Sequence, residues 1–179
     1  MQKSDARAIV RERLNELQNK KELSDKICKQ ILDLNLQCKN ILLYKALDSE
    51  VNVDPLIDAY LGKMNVYLPK IVGRDIVLIK VDKDTKYETG MFGISEPIGE
   101  ELDAKDVPID ICIAPLLGFD VYLNRLGKGK GYFDRYFDKV NPKKIGVAFE
   151  VQKVSKVDFL PYDHKLDMVV TEVGIYENN

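Results

Sequence analysis

The segment "DICIAPLL" (Asp110–Leu117) is an almost continuous run of apolar residues behind one acidic residue. A strand with one face in water alternates apolar and polar residues, whereas a continuous run is typical of a strand buried on both faces, as in a parallel sheet. Further β-rich apolar runs bounded by polar residues predict additional strands. These are "NILLYKAL" (Asn40–Leu47), "NVYLPKI" (Asn65–Ile71), "DIVLIKV" (Asp75–Val81), "KIGVAF" (Lys144–Phe149) and "MVVTEV" (Met168–Val173).

Helical periodicity separates several of these runs. It predicts helices from Ser4 to about Asn19, over Lys21–Leu32, and at about Asp54–Gly62 and Gly131–Val140, with Ser4 or Asp5 as the first N-cap. The alternation predicts an α/β fold: one three-layer domain over residues 1–179, with a largely parallel central sheet flanked by helices. No repeat, low-complexity tract or Pro/Gly-rich linker divides the chain.

Composition excludes several functional classes. The chain has 27 basic and 29 acidic residues, so no overall field attracts nucleic acid or an anionic membrane. The three cysteines (Cys28, Cys38 and Cys112) are an odd number without a CxxC pair, so they favour free thiols over disulfides or a zinc site. The charged N-terminus does not resemble a signal peptide, and no apolar run approaches the ~20 residues of a membrane span. We therefore expect a soluble cytoplasmic protein.

The stretch "NRLGKGKGYFDRYFDK" (Asn124–Lys139) is the strongest candidate for chemistry. It matches neither the P-loop nor the dinucleotide-binding pattern. Alternating glycines nevertheless let backbone N–H groups approach a ligand, Lys128 and Lys130 add positive charge, and a helix starting near Gly131 would point its dipole there. The pattern alone leaves two interpretations open: a phosphate-binding loop, or a mobile loop before an amphipathic helix.

Aromatic and acidic residues follow the glycines. Phe133, Tyr136 and Phe137 have the spacing of core residues on a helix, whereas Tyr132 would lie at the mouth of a site. Asp134 is either a complement to the helix dipole or a ligand for Mg²⁺, which prefers one or two carboxylates together with phosphate oxygens.

Together with "GFD" (Gly118–Asp120), the run "NRLGKGKGYFDR" (Asn124–Arg135) resembles the signature of the 5-formyltetrahydrofolate cyclo-ligase family. Further segments agree in order and spacing, so the resemblance covers essentially the whole chain. They are "KSDAR" (Lys3–Arg7), "YKALDSEV" (Tyr44–Val51), "LPK" (Leu68–Lys70), "FGISEP" (Phe92–Pro97) and "PYDHKLDMVVTE" (Pro161–Glu172).

The resemblance implies an ATP-dependent ligase of one-carbon metabolism. Such an enzyme uses ATP and Mg²⁺ to convert 5-formyltetrahydrofolate into 5,10-methenyltetrahydrofolate. The formyl oxygen is phosphorylated, N10 attacks the activated carbon, and ADP and phosphate are released. The implied partners are 5-formyltetrahydrofolate and ATP, without nucleic acid or membrane, and the expected state is a monomer or weak homodimer.

Site residues follow from the same resemblance. It implies that Lys130, Arg125 and Tyr132 are catalytic, with Lys130 stabilising the transferring phosphoryl group, and that Asp134 and Asp163 bind Mg²⁺. Glu50 would accept hydrogen bonds from the pterin. The implied ATP-binding residues are Lys3, Arg7, Arg125, Leu126, Gly127, Lys128, Gly129, Lys130, Gly131, Tyr132 and Phe133. The implied substrate-binding residues are Lys45, Glu50, Lys128, Gly129, Lys130, Gly131 and Tyr132.

The sequence leaves the roles of several residues, and alternatives to the ligase function, open. Tyr44 and Phe92 could stack on the pterin or simply pack, and Glu96-Pro97 could line the pocket or only form a rigid turn. Two other functions compete with the ligase: a regulatory module that binds nucleotide or folate without turnover, and a nucleic-acid binder using the loop lysines and aromatics. Near-neutral charge speaks against the second.

Overall fold

The computed structural model describes residues 1–178. Its helices are α1 (Lys3–Glu16), α2 (Lys20–Asp33), α3 (Asp54–Tyr60) and α4 (Tyr132–Lys139). Its strands are β1 (Asn40–Leu42), β2 (Asn65–Val72), β3 (Asp75–Val81), β4 (Lys86–Thr89), β5 (Ser95–Ile98), β6 (Leu102–Asp103), β7 (Ile111–Pro115), β8 (Gly118–Phe119), β9 (Arg125–Leu126), β10 (Lys143–Val147), β11 (Met168–Val170) and β12 (Ile175–Glu177). None of the helices within residues 1–178 combines the length and apolar character needed to cross a membrane.

Eight strands form the central sheet, in the order β12-β11-β10-β7-β1-β2-β3-β6. The five strands from β11 to β2 are mutually parallel, while β12, β3 and β6 add antiparallel edges. The strand from the Asp110–Leu117 segment, β7, lies inside the parallel part, with Ile111 opposite Ile41 of β1 and Ile113 opposite Ile145 of β10. The predicted α/β fold with a largely parallel sheet is confirmed.

Alternate residues of β7 explain why its sequence is continuously apolar. Ile113 faces a core formed with α1, α2 and α3, whereas Cys112 and Ala114 face a second core formed with α4. All three are fully buried. Helices on both faces of the sheet make the three layers that the strand pattern predicts.

Several predicted boundaries were wrong in informative ways. The strand predicted for Asn40–Leu47 ends at Leu42, because the chain then folds back: the Tyr44 hydroxyl donates to the Val51 carbonyl at 2.7 Å. Glu50 therefore lies in the loop beyond the carboxyl end of β1 and not on the strand itself. It accepts a hydrogen bond from the Leu47 N–H at 2.8 Å, which closes that loop.

The predicted N-cap of α1 was also wrong. The helix begins at Lys3, so Gln2 occupies the cap position and makes no side-chain cap hydrogen bond. Ser4 and Asp5 lie inside the first turn, where the Ser4 hydroxyl donates to the Asp5 carboxylate at 3.4 Å. An acidic residue in the first turn still complements the helix dipole.

Short antiparallel strands were missed by the apolar pattern. Residues of β4 are exposed throughout, so its sequence has no buried face to reveal it. It pairs with β5 in a two-stranded hairpin. The break between the strands predicted for Asn65–Ile71 and Asp75–Val81 is confirmed: it is the β2–β3 turn, where Gly73 has a φ of +61°, which glycine adopts readily.

All three cysteines are free thiols. Cys28 and Cys112 are buried, and burial raises the pKa of each of these thiols to about 12. Cys38 is half-buried, and burial again raises its pKa. A raised pKa disfavours the nucleophilic thiolate, so the buried thiols act as small apolar core groups.

The doubly covered β7 gives the first prediction. Ile113→Ala should lower the free energy of unfolding by about 2–5 kcal/mol, because it removes a fully buried side chain from the centre of the sheet. Urea denaturation measures the change. Val173→Ala is the control, since Val173 is 69% exposed and should change stability by about 0.5 kcal/mol or less. Equal losses in both variants would contradict the central position of β7.

Candidate active site

A cavity of about 290 Å³ lies beside the carboxyl ends of the parallel strands. Pro115 at the end of β7 and Tyr44, just beyond β1, form part of its wall. Ligand sites of open α/β sheets occupy this edge, because loops from neighbouring strands converge there. Further apolar parts of the wall include Ile71 of β2, Ile76 of β3 and Ile94 before β5.

The glycine-rich loop forms the facing wall. Gly129 and Gly131 have φ values of +108° and +74°, so both occupy backbone conformations that disfavour other residues. Helix α4 begins directly after Gly131, as predicted. Arg7 holds the loop from outside the cavity: its Nε donates to the Gly127 carbonyl at 2.9 Å.

Two lysines of this loop have different surroundings. Lys128 Nζ lies 2.6 Å from Glu50 Oε1, so the loop is ion-paired to the segment beyond β1. Lys130 Nζ lies 5.5 Å from the centroid of the Phe92 ring, and within the described chain no carboxylate is within 4.0 Å of it. Lys130 is thus a cation of the cavity wall that is available to an anionic ligand.

Arg125 ties the loop to the sheet. Its Nε and Nη2 both donate to the Pro115 carbonyl, at 3.1 and 3.0 Å, and its Nη1 lies 3.7 Å from Asp134 Oδ1. Burial lowers the pKa of the guanidinium, and the nearby Asp134 carboxylate opposes that shift. The guanidinium also lies over the Phe133 ring, 5.4 Å from its centroid. Arg125 therefore fixes the start of α4 against the end of β7.

The two predicted metal ligands each contact a cation. Asp134 is on the cavity wall beside Arg125. The Asp163 side chain is only 5% exposed, and both of its oxygens lie 2.5 Å from Lys3 Nζ. Residues 1–178 contain no group of three or more His, Cys, Asp or Glu arranged to hold a metal. Asp134 fits a magnesium site completed by phosphate oxygens, and Asp163 fits only if Lys3 moves away.

Asp120 organises the segments that carry this site. It is fully buried and has no cationic partner within 4.0 Å in the part of the chain described. Its carboxylate accepts four hydrogen bonds, from Tyr122 N at 3.0 Å, Asn124 N at 3.0 Å, Asn124 Nδ2 at 2.9 Å and Val157 N at 2.9 Å. It thereby joins the turn before Arg125 to the segment that leads to Asp163. Sequence reasoning noted Asp120 only as part of the "GFD" motif.

Ten of the predicted site residues lie on the cavity wall: Lys45, Glu50, Arg125, Gly127, Lys128, Lys130, Gly131, Tyr132, Phe133 and Asp134. Lys45 is already paired with Asp54, at 2.8 Å. Lys3, Arg7, Leu126, Gly129 and Asp163 lie off the wall. Leu126 is fully buried in the core, so its side chain is turned away from any ligand. The roles of all these residues stay predictions.

The apolar part of the wall was missed. Pro69, Ile71, Ile76 and Leu116 line the cavity, yet in the sequence they are ordinary members of apolar runs. Periodicity assigns such residues to the core and cannot distinguish a cavity wall from it.

Taken together, the fold and the cavity define an α/β protein with a ligand site at the strand ends. One wall is apolar, and the other is a glycine-rich loop with cationic side chains. The model of the 5-formyltetrahydrofolate cyclo-ligase family matches residues 1–172, and the chain belongs to this family of enzymes.

Similar proteins cover the whole chain. A Schizosaccharomyces pombe protein named as a probable 5-formyltetrahydrofolate cyclo-ligase is 32% identical, over 99% of this chain and 98% of its own. The structure of Aquifex aeolicus 5,10-methenyltetrahydrofolate synthetase has a TM-score of 0.84 at 32% identity, covering 98% of this chain and 92% of that one. The synthetase of Mycoplasma pneumoniae has a TM-score of 0.74 at 27% identity, covering 96% and 99%.

The Asp120 hydrogen bonds give a second prediction. Asp120→Ala should lower the free energy of unfolding by about 3 kcal/mol or more, because several buried donors lose their acceptor and each costs about 1–3 kcal/mol. Thermal or urea unfolding measures the loss. Asp158→Ala is the control: Asp158 is exposed and pairs with the N-terminus at 3.3 Å, so about 1 kcal/mol at most is expected. Similar values for both variants would contradict the role of Asp120.

Proposed function

We propose that this protein uses ATP and Mg²⁺ to close the ring of 5-formyltetrahydrofolate, giving 5,10-methenyltetrahydrofolate, ADP and phosphate. One observation carries the proposal beyond the family match: the Lys128–Glu50 contact at 2.6 Å. It brings the carboxylate expected to bind the pterin against the loop expected to bind the phosphates. Two substrates that must react with each other would meet in this cavity.

The apolar wall suits the folate. Tyr44, Phe92 and Tyr132 supply aromatic surface around the cavity, on which a pterin ring could stack. The Tyr44 hydroxyl is occupied by the Val51 carbonyl, so only the face or edge of its ring is available. The Glu50 carboxylate can accept hydrogen bonds from the amino and ring N–H groups of the pterin, once it exchanges Lys128 for them.

The glycine-rich wall suits the triphosphate. The glycine-rich loop, its Lys130 and the first residues of α4 line the same cavity. Loop N–H groups, a helix N-terminus and an ammonium all favour an anion. Lys3 and Arg7 lie behind this wall, where Lys3 could leave Asp163 to meet a phosphate. Asp134 and Asp163 would then hold Mg²⁺, which neutralises charge on the phosphates when bound.

The reaction needs two successive displacements. The formyl oxygen attacks the γ-phosphorus, so an O–P bond forms and the bond to the ADP oxygen breaks. N10 then attacks the activated carbon and loses its proton, while the carbon–oxygen bond breaks and phosphate leaves. Positioning and electrostatic stabilisation supply most of the catalysis in such transfers, and Lys130 is placed to stabilise the transferring group.

Turnover tests the proposal directly. The purified protein should form the methenyl chromophore from 5-formyltetrahydrofolate only when ATP and Mg²⁺ are both present, and Lys130→Ala should lower kcat about 10²–10³-fold. Lys139→Ala is the matched control, because Lys139 is at the far end of α4 and pairs with Asp75 at 3.4 Å. Binding of both ligands by folded wild-type protein without turnover would refute the enzyme and favour the regulatory module.

The Lys128–Glu50 pair gives a separate prediction. Glu50→Gln should raise the KM for the folate about tenfold or more, since a neutral amide is a weaker partner for the pterin N–H groups. The same change frees Lys128, so the affinity for a non-hydrolysable ATP analogue should stay within about threefold of wild type or increase. Calorimetric titration measures the second quantity. A large loss of nucleotide affinity would contradict separate roles for the paired residues.

A further inference from the structure

Three carboxylates lie on the cavity wall: Glu50, Glu96 and Asp134. Glu50 is paired with Lys128 at 2.6 Å, and Asp134 lies 3.7 Å from Arg125. Across residues 1–178, no cation lies within 4.0 Å of the Glu96 carboxylate, although Glu96 is only 4% exposed. Glu96 is thus the cavity carboxylate that has no cation in direct contact, and Lys70 acts on its charge only from a greater distance.

The β4–β5 hairpin fixes the position of Glu96. One oxygen, Oε2, accepts a hydrogen bond from the Ile71 N–H at 2.7 Å. The other, Oε1, lies so close to Gly90 that a Cβ atom there would be 1.8 Å away. The hydrogen bonds of the described residues supply no donor to Oε1. The nearby Lys70 is occupied by Glu101, at 2.8 Å.

Glu96 Oε1 has no donor among the described residues and is not fully enclosed by protein, so it can accept a hydrogen bond or a proton from a group in the cavity. In the proposed reaction, the group that gives up a proton is N10–H, at the moment when N10 bonds to the activated carbon. Glu50 is already engaged by Lys128 and Asp134 lies beside Arg125, whereas Glu96 has one oxygen without a partner among the described residues. Glu96 is therefore the cavity carboxylate with an oxygen free to receive this proton.

We propose that Glu96 is the general base of ring closure and removes the N10 proton. As N10 bonds to the carbon, the N10–H bond breaks, the proton goes to Glu96 Oε1, and the N–H electron pair stays on nitrogen. The carbon–oxygen bond breaks and its electrons leave with phosphate. The carboxylic acid later returns its proton to water. This assignment rests on the proposed function and deepens it, because it separates ring closure from phosphoryl transfer.

The test uses Glu96→Gln, which keeps an oxygen acceptor for the Ile71 N–H but cannot take a proton. General base catalysis contributes about 10²–10⁴-fold, so kcat for chromophore formation should fall about 100-fold or more, with the folate KM within about threefold of wild type. Phosphoryl transfer should persist. The activated folate then returns to 5-formyltetrahydrofolate by hydrolysis, so the ratio of ADP to methenyl product should rise well above one.

Two further variants make the result specific. Glu96→Asp keeps a carboxylate one methylene further from the cavity, and it should recover part of the kcat lost in Glu96→Gln. Glu88→Gln is the matched control on the same hairpin, directly across from Glu96 in the β4–β5 register, and should behave as wild type. Unfolding curves for all three should resemble that of wild type.

Three outcomes would overturn the role of Glu96. In the first, Glu96→Gln forms product at a rate within threefold of wild type. In the second, only its KM changes, which would make Glu96 a binding group. In the third, ADP and chromophore formation fall together, which would place the defect before ring closure. In each of these the wild-type enzyme still turns over, whereas a wild type without turnover would refute the proposed function itself.

Discussion

The burial of the central strands on both faces is the constraint on which the rest of the structure depends. Because β7 packs against helices α1–α3 on one side and α4 on the other, neither face of the sheet is left for a ligand. Binding groups can only collect where the parallel strands end and their loops emerge. The cavity is at this edge, and Arg125 anchors one of its walls directly to the last carbonyl of β7.

Ion pairs between acidic and basic side chains are a second feature that organises the site. The acids Glu50, Asp134 and Asp163 each contact a base, and two of these contacts are 2.6 Å or shorter. Charges that lie close together at low exposure gain from such mutual neutralisation, because an isolated charge there is costly. A ligand that binds to one of these charged side chains must therefore replace its present ion-pair partner. The two proposed substrates would supply complementary partners for that exchange: the pterin N–H groups donate hydrogen bonds to the acids, and the triphosphate accepts them from the bases.

The sequence predicted the parts of this molecule that have strong local signals. Continuous apolar runs gave the parallel strands, and alternating glycines and lysines gave the loop before α4. The sequence-based predictions failed where contacts made by the folded chain determine the local structure. β1 stops at Leu42, and the chain beyond it turns back so that the Tyr44 hydroxyl donates to the Val51 carbonyl; no local sequence pattern records that contact. Asp120 was noted only as part of the "GFD" motif. Its local donors belong to Tyr122 and Asn124, but the Val157 N–H, 37 residues away, reaches it only through folding.

The β4–β5 hairpin carries two candidate site residues, Phe92 and Glu96, although its sequence has little hydrophobic periodicity. Its outer strand is exposed throughout, and its tip carries Phe92 at a φ of +59°, so neither periodicity nor propensity favours its structure. The hairpin is held by specific contacts instead: the Glu96 carboxylate receives the Ile71 N–H and lies directly against Gly90. These contacts place Phe92 and Glu96 on the cavity wall. Under the proposed function, the glycine-rich loop would hold the phosphates, while the hairpin and the Glu50 segment beyond β1 would together select the folate.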